Sequence, residues 1–166
     1  MKSIVLVGMM GCGKSTCGKR LAERYGRELV DTDAVVEARA GKSIPEIFAQ
    51  EGEAAFRDWE TVVCRSLAGK EDLVIATGGG LVLRSENVTL LKETGVLVFL
   101  NRPVERILRS TSMAGRPLAQ AGKRAFIERF PQREPCYRSC ADVEIRDFSS
   151  IEATVSEILR KLEGKL

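Results

Sequence analysis

The feature that most constrains the fold is a glycine-rich stretch near the N-terminus, "GMMGCGKS" at residues 8–15. It matches G-x-x-x-x-G-K-[ST], follows the apolar run "SIVLV" and precedes a helical pattern. Its three glycines let the backbone wrap around an anion, and the following helix presents its positive end to the same anion. The pattern predicts a P-loop that binds a nucleoside triphosphate, with Lys14 on the β- and γ-phosphates and Ser15 on magnesium.

The rest of the chain alternates apolar, β-branched runs with helical patterns, which is typical of an α/β domain with a mostly parallel sheet. The apolar runs "SIVLVG", "LVIATGG" and "GVLVFL" predict strands that are covered on both faces. Helices are predicted at residues 14–25, after Ser43 with Glu46 as a capping box, and at residues 53–68 closed by Gly69. A stripe at helical spacing predicts a C-terminal helix docked on the sheet, and its residues are Ile151, Val155, Ile158, Leu159 and Leu162.

Composition excludes several classes of protein. A chain of 166 residues is expected to form one domain. Its 26 basic and 23 acidic residues are spread along the chain, so no nucleic-acid partner is expected. The five cysteines form no C-x-x-C pair and the chain has no histidine, which indicates reduced thiols rather than a zinc site. No apolar run is long enough for a membrane span or a signal peptide, so we expect a cytoplasmic protein without a membrane partner.

The fate of the γ-phosphoryl group is the next question. A GTPase usually carries an N-K-x-D motif, which this chain lacks, so an ATP user is favoured. A small-molecule phosphotransferase needs a second pocket, charge-stabilising arginines and a lid that excludes water. Arg57, Arg116 and Arg133 are the candidate arginines, and residues 109–123 have the small, polar composition of a mobile loop.

Two further groups of residues follow strands and are expected to face the P-loop across one edge of the sheet. Asp31 and Asp33 end the run "LVDTD", and glycines occupy positions 78–80 after "LVIAT". Aspartates at such a point either cap the next helix or orient a metal and a hydroxyl, and both interpretations stay open. Three glycines in a row favour close approach of a ligand to the main chain. Arg57, with Glu60 three residues later, could instead form a surface ion pair worth about 0.3–0.5 kcal/mol.

Six segments together resemble the shikimate kinase family over essentially the whole chain. They are "GMMGCGKST", "LVDTD", "SIPEIFAQEGEAAFRDWE", "ATGGG", "GRPL" and "REPCYR", in that order. The resemblance implies one domain over residues 1–166 with a P-loop kinase fold. That fold has a central parallel five-stranded sheet, helices on both faces, a mobile lid at residues 109–123 and shikimate-binding helices at residues 33–60. The implied reaction transfers the ATP γ-phosphoryl group to the 3-hydroxyl of shikimate, a step towards chorismate and the aromatic amino acids.

The resemblance also implies the role of each site residue. Asp33 would be the base and bind the acceptor hydroxyls, and Arg57 and Arg133 would hold the acceptor carboxylate. Asp31 and Ser15 would hold Mg²⁺. The nucleotide would contact the P-loop and the lid, through Gly11, Cys12, Gly13, Lys14, Ser15, Thr16, Arg109 and Arg116. Backbone contacts to the acceptor ring would come from Gly78, Gly79 and Gly80, and the catalytic residues would be Asp33, Lys14 and Arg116.

One segment departs from the family pattern, and other functions remain open. "IRDFSS" at residues 145–150 has no proline and no arginine beyond Arg146, so it departs from the adenine-contacting loop of the family, and base contacts would rest mainly on Arg109. The alternatives are another P-loop kinase, such as one for gluconate, and a catalytically silent sensor of nucleotide and shikimate-like ligands. The presence of both Arg57 and Arg133 argues against the first alternative. The presence of Lys14, Asp33 and Arg116 argues against the second. No apolar stripe is left over for a partner, so a monomer is expected.

Overall fold

The structure, a computed structural model, describes residues 1–110 and 121–166. Within this part of the chain, five parallel strands form one sheet in the order β2-β3-β1-β4-β5. Their bounds are β1 Ser3–Val7, β2 Glu28–Asp31, β3 Leu73–Ala76, β4 Gly95–Leu100 and β5 Val143–Ile145. The α/β class and the five-stranded parallel sheet predicted from the sequence are therefore confirmed.

Helices connect the strands and cover the sheet. Their bounds are α1 Lys14–Tyr25, α2 Thr32–Ala40, α3 Ile44–Gln50, α4 Glu53–Leu67, α5 Ser85–Lys92, α6 Val104–Ser110, α7 Ala121–Cys140 and α8 Ile151–Leu162, with a 3-10 turn at Leu81–Leu83. Every residue of β1 and β4 is buried, which explains why both strands are continuous apolar runs rather than alternating patterns. The described helices are too short or too polar for any of them to cross a bilayer.

The order of the strands places the predicted site residues at one edge of the sheet. The chain leaves β1 through the P-loop, pairs β2 outside β3, and then returns to β4 on the other side of β1. Asp31 pairs with Ala76, and Ala76 pairs with Leu6, so the carboxyl ends of β2, β3 and β1 lie side by side. Parallel α/β sheets bind ligands in the crevice beyond these ends.

Local sequence signals account for most helix boundaries. Helix α1 spans the predicted residues, and Ser43 caps α3 by accepting the backbone N–H of Glu46 at 3.3 Å. The Glu46 carboxylate accepts from the Ser43 hydroxyl rather than from its backbone, so the capping box is only half formed. Helix α4 ends at Leu67, one residue before the predicted end.

The stripe predicted for the C-terminal helix is wrong at its first position. Ile151 begins α8 and is 44% exposed, whereas Ile158 and Leu162 are buried. Thr154 is buried in this helix instead, because its hydroxyl donates to the carbonyl of Asp147 at 2.7 Å and so satisfies its polar group. Spacing alone could not show that the helix approaches the sheet only after its first turn.

This difference predicts unequal effects for the same substitution at two positions of α8. Ile158→Ala should lower the free energy of unfolding by about 2–4 kcal/mol, because it leaves a cavity in the core. Ile151→Ala, the matched control, should cost less than about 1 kcal/mol. Urea denaturation of both variants measures the two values, and equal losses would contradict the packing of this helix.

Candidate active site

The P-loop has the wrapped backbone that its glycines predicted. Gly8, Gly11 and Gly13 have φ values of +146°, +80° and +103°, which side-chain-bearing residues rarely adopt. Lys14 is buried and its Nζ donates to the carbonyls of Gly8 at 2.6 Å and Met9 at 2.9 Å. These neutral carbonyls are the partners that phosphate oxygens would replace.

The beginning of α1 is open to an anion. Gly13 is the N-cap residue and brings no side chain to cap the helix, so the first backbone N–H groups are left for another acceptor. Ser15 and Thr16 follow in the exposed first turn. Both line a cavity of about 600 Å³ that also reaches Asp31 and Asp33. The geometry brings the P-loop and the two aspartates into one crevice, as the strand ends predicted.

Asp31 and Asp33 occupy different positions in this crevice. Asp31 caps α2, because its Oδ1 accepts the backbone N–H groups of Asp33 at 2.9 Å and Ala34 at 3.4 Å. Asp31 can cap the helix and also face the cavity, because the cap uses only one of its two carboxylate oxygens. Asp33 lies in the first turn of α2, and its buried Oδ1 has no hydrogen-bond partner among the described residues.

A turn formed by glycines 78–80, here called the glycine turn, lies beneath three of the predicted site residues. A β-carbon added at Gly78 would lie 2.6 Å from Asp33 Oδ1, and one at Gly80 would lie 2.6 Å from Arg57 Nη2. At Gly79 it would lie 3.3 Å from Arg133 Nη1. The three glycines do not have positive φ values. A β-carbon at Gly78 or Gly80 would therefore displace the Asp33 carboxylate or the Arg57 guanidinium, whereas one at Gly79 would require Arg133 to move by only a few tenths of an ångström.

Hydrogen bonds from two helices hold the glycine turn in place, and a third bond fixes the residue before it. The Thr32 hydroxyl of α2 accepts the backbone N–H of Gly78 at 3.0 Å. The Tyr137 hydroxyl of α7 donates to the carbonyl of Gly79. Next to the turn, Thr77 Oγ1 donates to the carbonyl of Leu6 in β1 at 2.8 Å. The helices that carry Asp33 and Arg133 are therefore bonded to the same short segment.

Glu60 belongs to this site, although no sequence pattern predicted it there. It pairs with Arg57 at 2.7 Å, and the two side chains are only 1% and 14% exposed. The interpretation of this pair as a surface ion pair is therefore wrong. The second oxygen of Glu60 is buried without a partner among the described residues and lies 3.2 Å from a β-carbon added at Gly78. The sequence shows that Arg57 and Glu60 are three residues apart, but it does not show that both are buried, because that burial depends on α2 and the glycine turn.

Burial shifts both carboxyl groups next to Gly78 towards the protonated form. The pKa of Asp33 is raised, first by burial and then by the negative charge of Asp31, while Lys14 opposes the shift. Burial also raises the pKa of Glu60, although the hydrogen bond from Arg57 acts in the other direction. Both groups would gain from a ligand that donates hydrogen bonds to them.

Tyr137 is a second residue without a predicted role. It lies in the segment "REPCYR" that carried part of the resemblance, but its function there is not visible from composition or spacing. Its ring packs at 5.3 Å from that of Phe99 in β4, and burial raises the pKa of its hydroxyl. The hydroxyl stays neutral and can donate to Gly79, which fixes α7 against the glycine turn.

Two predicted nucleotide residues are not placed in the crevice. Arg109 lies exposed in the last turn of α6 and does not line the cavity around the P-loop. Arg116 and most of the predicted lid, residues 111–120, lie outside the described residues. Their roles stay predictions.

The raised pKa of Asp33 predicts a gain in stability on its removal. Ionisation of Asp33 costs more free energy in the folded state than in the unfolded chain, so the fold loses stability as this carboxyl ionises. Asp33→Asn should therefore raise the free energy of unfolding at pH 8, and the gain should shrink as the pH falls towards the ordinary carboxyl range. Urea denaturation at several pH values measures this.

Asp58→Asn is the control for that experiment, because Asp58 is 72% exposed and pairs with Arg84 at the surface. It should change stability by no more than about 0.5 kcal/mol. A loss of stability in Asp33→Asn at pH 8 would contradict the electrostatics described for this crevice.

Comparison with known proteins agrees with this geometry. The family model for shikimate kinase matches residues 10–163. The shikimate kinase of Chromohalobacter salexigens is 44% identical over 165 residues, covering 97% of this chain and 92% of that protein. That of Clostridium beijerinckii is 40% identical over 155 residues, covering 93% and 91%. The solved structure of shikimate kinase from Acinetobacter baumannii in complex with shikimate has a TM-score of 0.89 at 37% identity, covering 99% of this chain and 94% of that one. The chain belongs to the shikimate kinase family.

Proposed function

We propose that the chain transfers the γ-phosphoryl group of ATP to the 3-hydroxyl of shikimate, giving shikimate 3-phosphate and ADP. The observation that carries this proposal is the glycine turn, over which Asp33, Arg133 and Arg57 lie one to each glycine, beside a P-loop. Family membership supports the reaction, and the complex of the Acinetobacter baumannii enzyme with shikimate supports the acceptor.

The two arginines are the groups that would bind the acceptor carboxylate. Arg57 and Arg133 come from different helices, α4 and α7, but lie over adjacent glycines of one turn. Planar guanidinium groups suit a carboxylate better than lysine does, and each charge-assisted bond would contribute about 1.5–3 kcal/mol. Glu60 holds Arg57 in place through the 2.7 Å ion pair, so the fork is oriented before the acceptor arrives.

Asp33 is the group that would take the proton of the reacting hydroxyl. Its Oδ1 has no protein partner among the described residues, so it is free to accept a bond from the 3-hydroxyl. As that oxygen attacks the γ-phosphorus, its proton passes to Asp33 and the bond to the β–γ bridging oxygen breaks, releasing ADP. A carboxyl with a raised pKa is a better base than an ordinary aspartate.

Lys14 and backbone N–H groups of the P-loop would hold the phosphates. Lys14 would exchange the carbonyls of Gly8 and Met9 for β- and γ-phosphate oxygens, while the N–H groups of Gly11, Cys12 and Gly13 would surround the same anion. Arg109 is proposed to contact the adenine. Arg116 is proposed to close over the transferring phosphate with the lid and to exclude water.

The residues present also fit a magnesium ion bound together with the nucleotide. Ser15 and Asp31 place a hydroxyl and a carboxylate in the P-loop cavity, and such hard oxygen donors suit Mg²⁺. The described residues include no group of three or more metal-binding side chains, so phosphate oxygens and waters would complete the coordination. When bound, the ion would neutralise charge on the β- and γ-phosphates.

We propose that this enzyme works in the cytoplasm. All five cysteines are free thiols, which agrees with a reducing cytoplasm. We propose a monomer, which light scattering coupled to gel filtration would test.

A coupled assay of ADP release with ATP and magnesium tests the proposal, comparing shikimate, quinate, gluconate and no acceptor. ADP release that requires shikimate and yields the 3-phosphate, identified by NMR, is expected. Release with another acceptor alone would show that the acceptor pocket is assigned wrongly. Binding of both ligands without any release would favour a catalytically silent sensor.

Asp33→Asn should abolish phosphoryl transfer and leave ATP binding unchanged, because an amide cannot take the hydroxyl proton but Lys14 still holds the phosphates. Turnover and the Kd for ATP are measured separately, with Asp58→Asn as the control. Turnover close to that of the wild type would remove Asp33 from the role of base.

Arg116→Ala should lower kcat by about 100-fold or more, because it removes a charge that would stabilise the transferring phosphate. The Kd for shikimate should change little. Arg124→Ala, which removes an 86% exposed arginine of α7, is the control. Equal losses in kcat and in shikimate affinity would contradict a role confined to phosphoryl transfer.

A further inference from the structure

Arg102 has no role in the phosphoryl transfer proposed for this chain, yet it lies against the P-loop. It follows β4 by two residues, and its Nη1 is 3.4 Å from the carbonyl oxygen of Gly11. It lines the 600 Å³ cavity around the P-loop and also an adjoining cavity of about 310 Å³. A guanidinium group therefore lies where the two cavities meet.

Within residues 1–110 and 121–166, no carboxylate balances the charge of Arg102. Its only hydrogen bond within the described residues is the long one to Gly11, and its Nε is buried without a partner. No described carboxylate pairs with it, unlike Arg57, which is paired with Glu60 and Glu53. A half-buried cation with a single weak acceptor has free donors for an anion.

Each of the two cavities suits a different end of a nucleotide. The larger contains Lys14 and Asp33, where the reacting phosphate would lie. The smaller is lined by Phe148 and Ser149 and lacks a carboxylate among its described lining, so it suits the nucleoside. Gly13 and Thr16 line both, as Arg102 does. If one nucleotide occupies both cavities, the phosphate attached to its ribose lies next to Arg102, where the cavities meet.

We propose that Arg102 binds the α-phosphate of the nucleotide and so adds a side-chain charge to the anion site of the P-loop. The proposal rests on the nucleotide site described under "Proposed function" and names a residue that the P-loop motif does not contain. Two other roles are the competing explanations. Arg102 could stack on the base beside Phe148, or it could only brace the loop through Gly11.

The test compares ligands with and without phosphate in Arg102→Ala. Calorimetry should show the Kd for ADP and for AMP rising by about 10- to 100-fold, the size of one charge-assisted contact. NMR titration should show adenosine binding unchanged, and the Kd for shikimate should also be unchanged. Arg102→Lys should give an intermediate loss, and Arg102→Gln replaces the alanine variant if that variant does not fold. Arg24→Ala, which removes an exposed arginine from the far end of α1, controls for net charge.

Each contrary result points to a different failure. ADP affinity equal to that of Arg24→Ala would overturn the proposal, while the nucleotide site itself would stand. Equal losses for ADP and adenosine would show that Arg102 contacts the base, and weaker shikimate binding with a lower Tm would show that it is only a brace. If the wild-type chain binds no ADP, the nucleotide site under "Proposed function" fails and the role of Arg102 fails with it.

Discussion

The positions of Asp33 and Arg57 beside the P-loop crevice depend on the absence of two β-carbons. Asp33 and Arg57 lie so close to the main chain at Gly78 and Gly80 that a methyl group at either position would collide with them. The glycine turn thus allows side chains from three helices to converge on a few ångströms of backbone. Thr32 and Tyr137 bond the turn to two of those helices, so the position of the charged groups is set by the same segment that makes room for them.

Burial of the Asp33 and Glu60 carboxyl groups costs the fold stability, and the proposed binding of an acceptor would explain why they are there. Asp33 and Glu60 each have a buried oxygen next to Gly78 that has no partner among the described residues, and burial raises the pKa of both carboxyl groups. Unsatisfied buried groups are uncommon and need a reason. In the proposed complex, an acceptor that brings hydroxyl donors to this place would supply the missing partners, and its carboxylate would pair with the two arginines.

The parts of the structure that the sequence predicted are those set by local rules. The P-loop, α1 and the continuous apolar strands follow from glycine placement, capping and burial of β1 and β4 on both faces. The convergence of Asp33 with the glycine turn followed from the rule that parallel strand ends share one edge.

The parts that the sequence could not predict depend on contacts between distant segments. The burial of Glu60, the exposure of Ile151 and the bond from Tyr137 to Gly79 each require the packed structure. The sequence also could not predict that Arg102 has no carboxylate partner among the described residues, because no local pattern distinguishes it from the other arginines. Composition could not identify shikimate, which came from the resemblance and then from the comparisons.

A crystal structure of the chain with shikimate, ADP and magnesium would test the proposed acceptor site. We expect the ring carboxylate to contact both Arg57 and Arg133 above the glycine turn, with the 3-hydroxyl within hydrogen-bond distance of Asp33. Shikimate bound away from the glycine turn, or with its carboxylate turned towards Lys14, would contradict it.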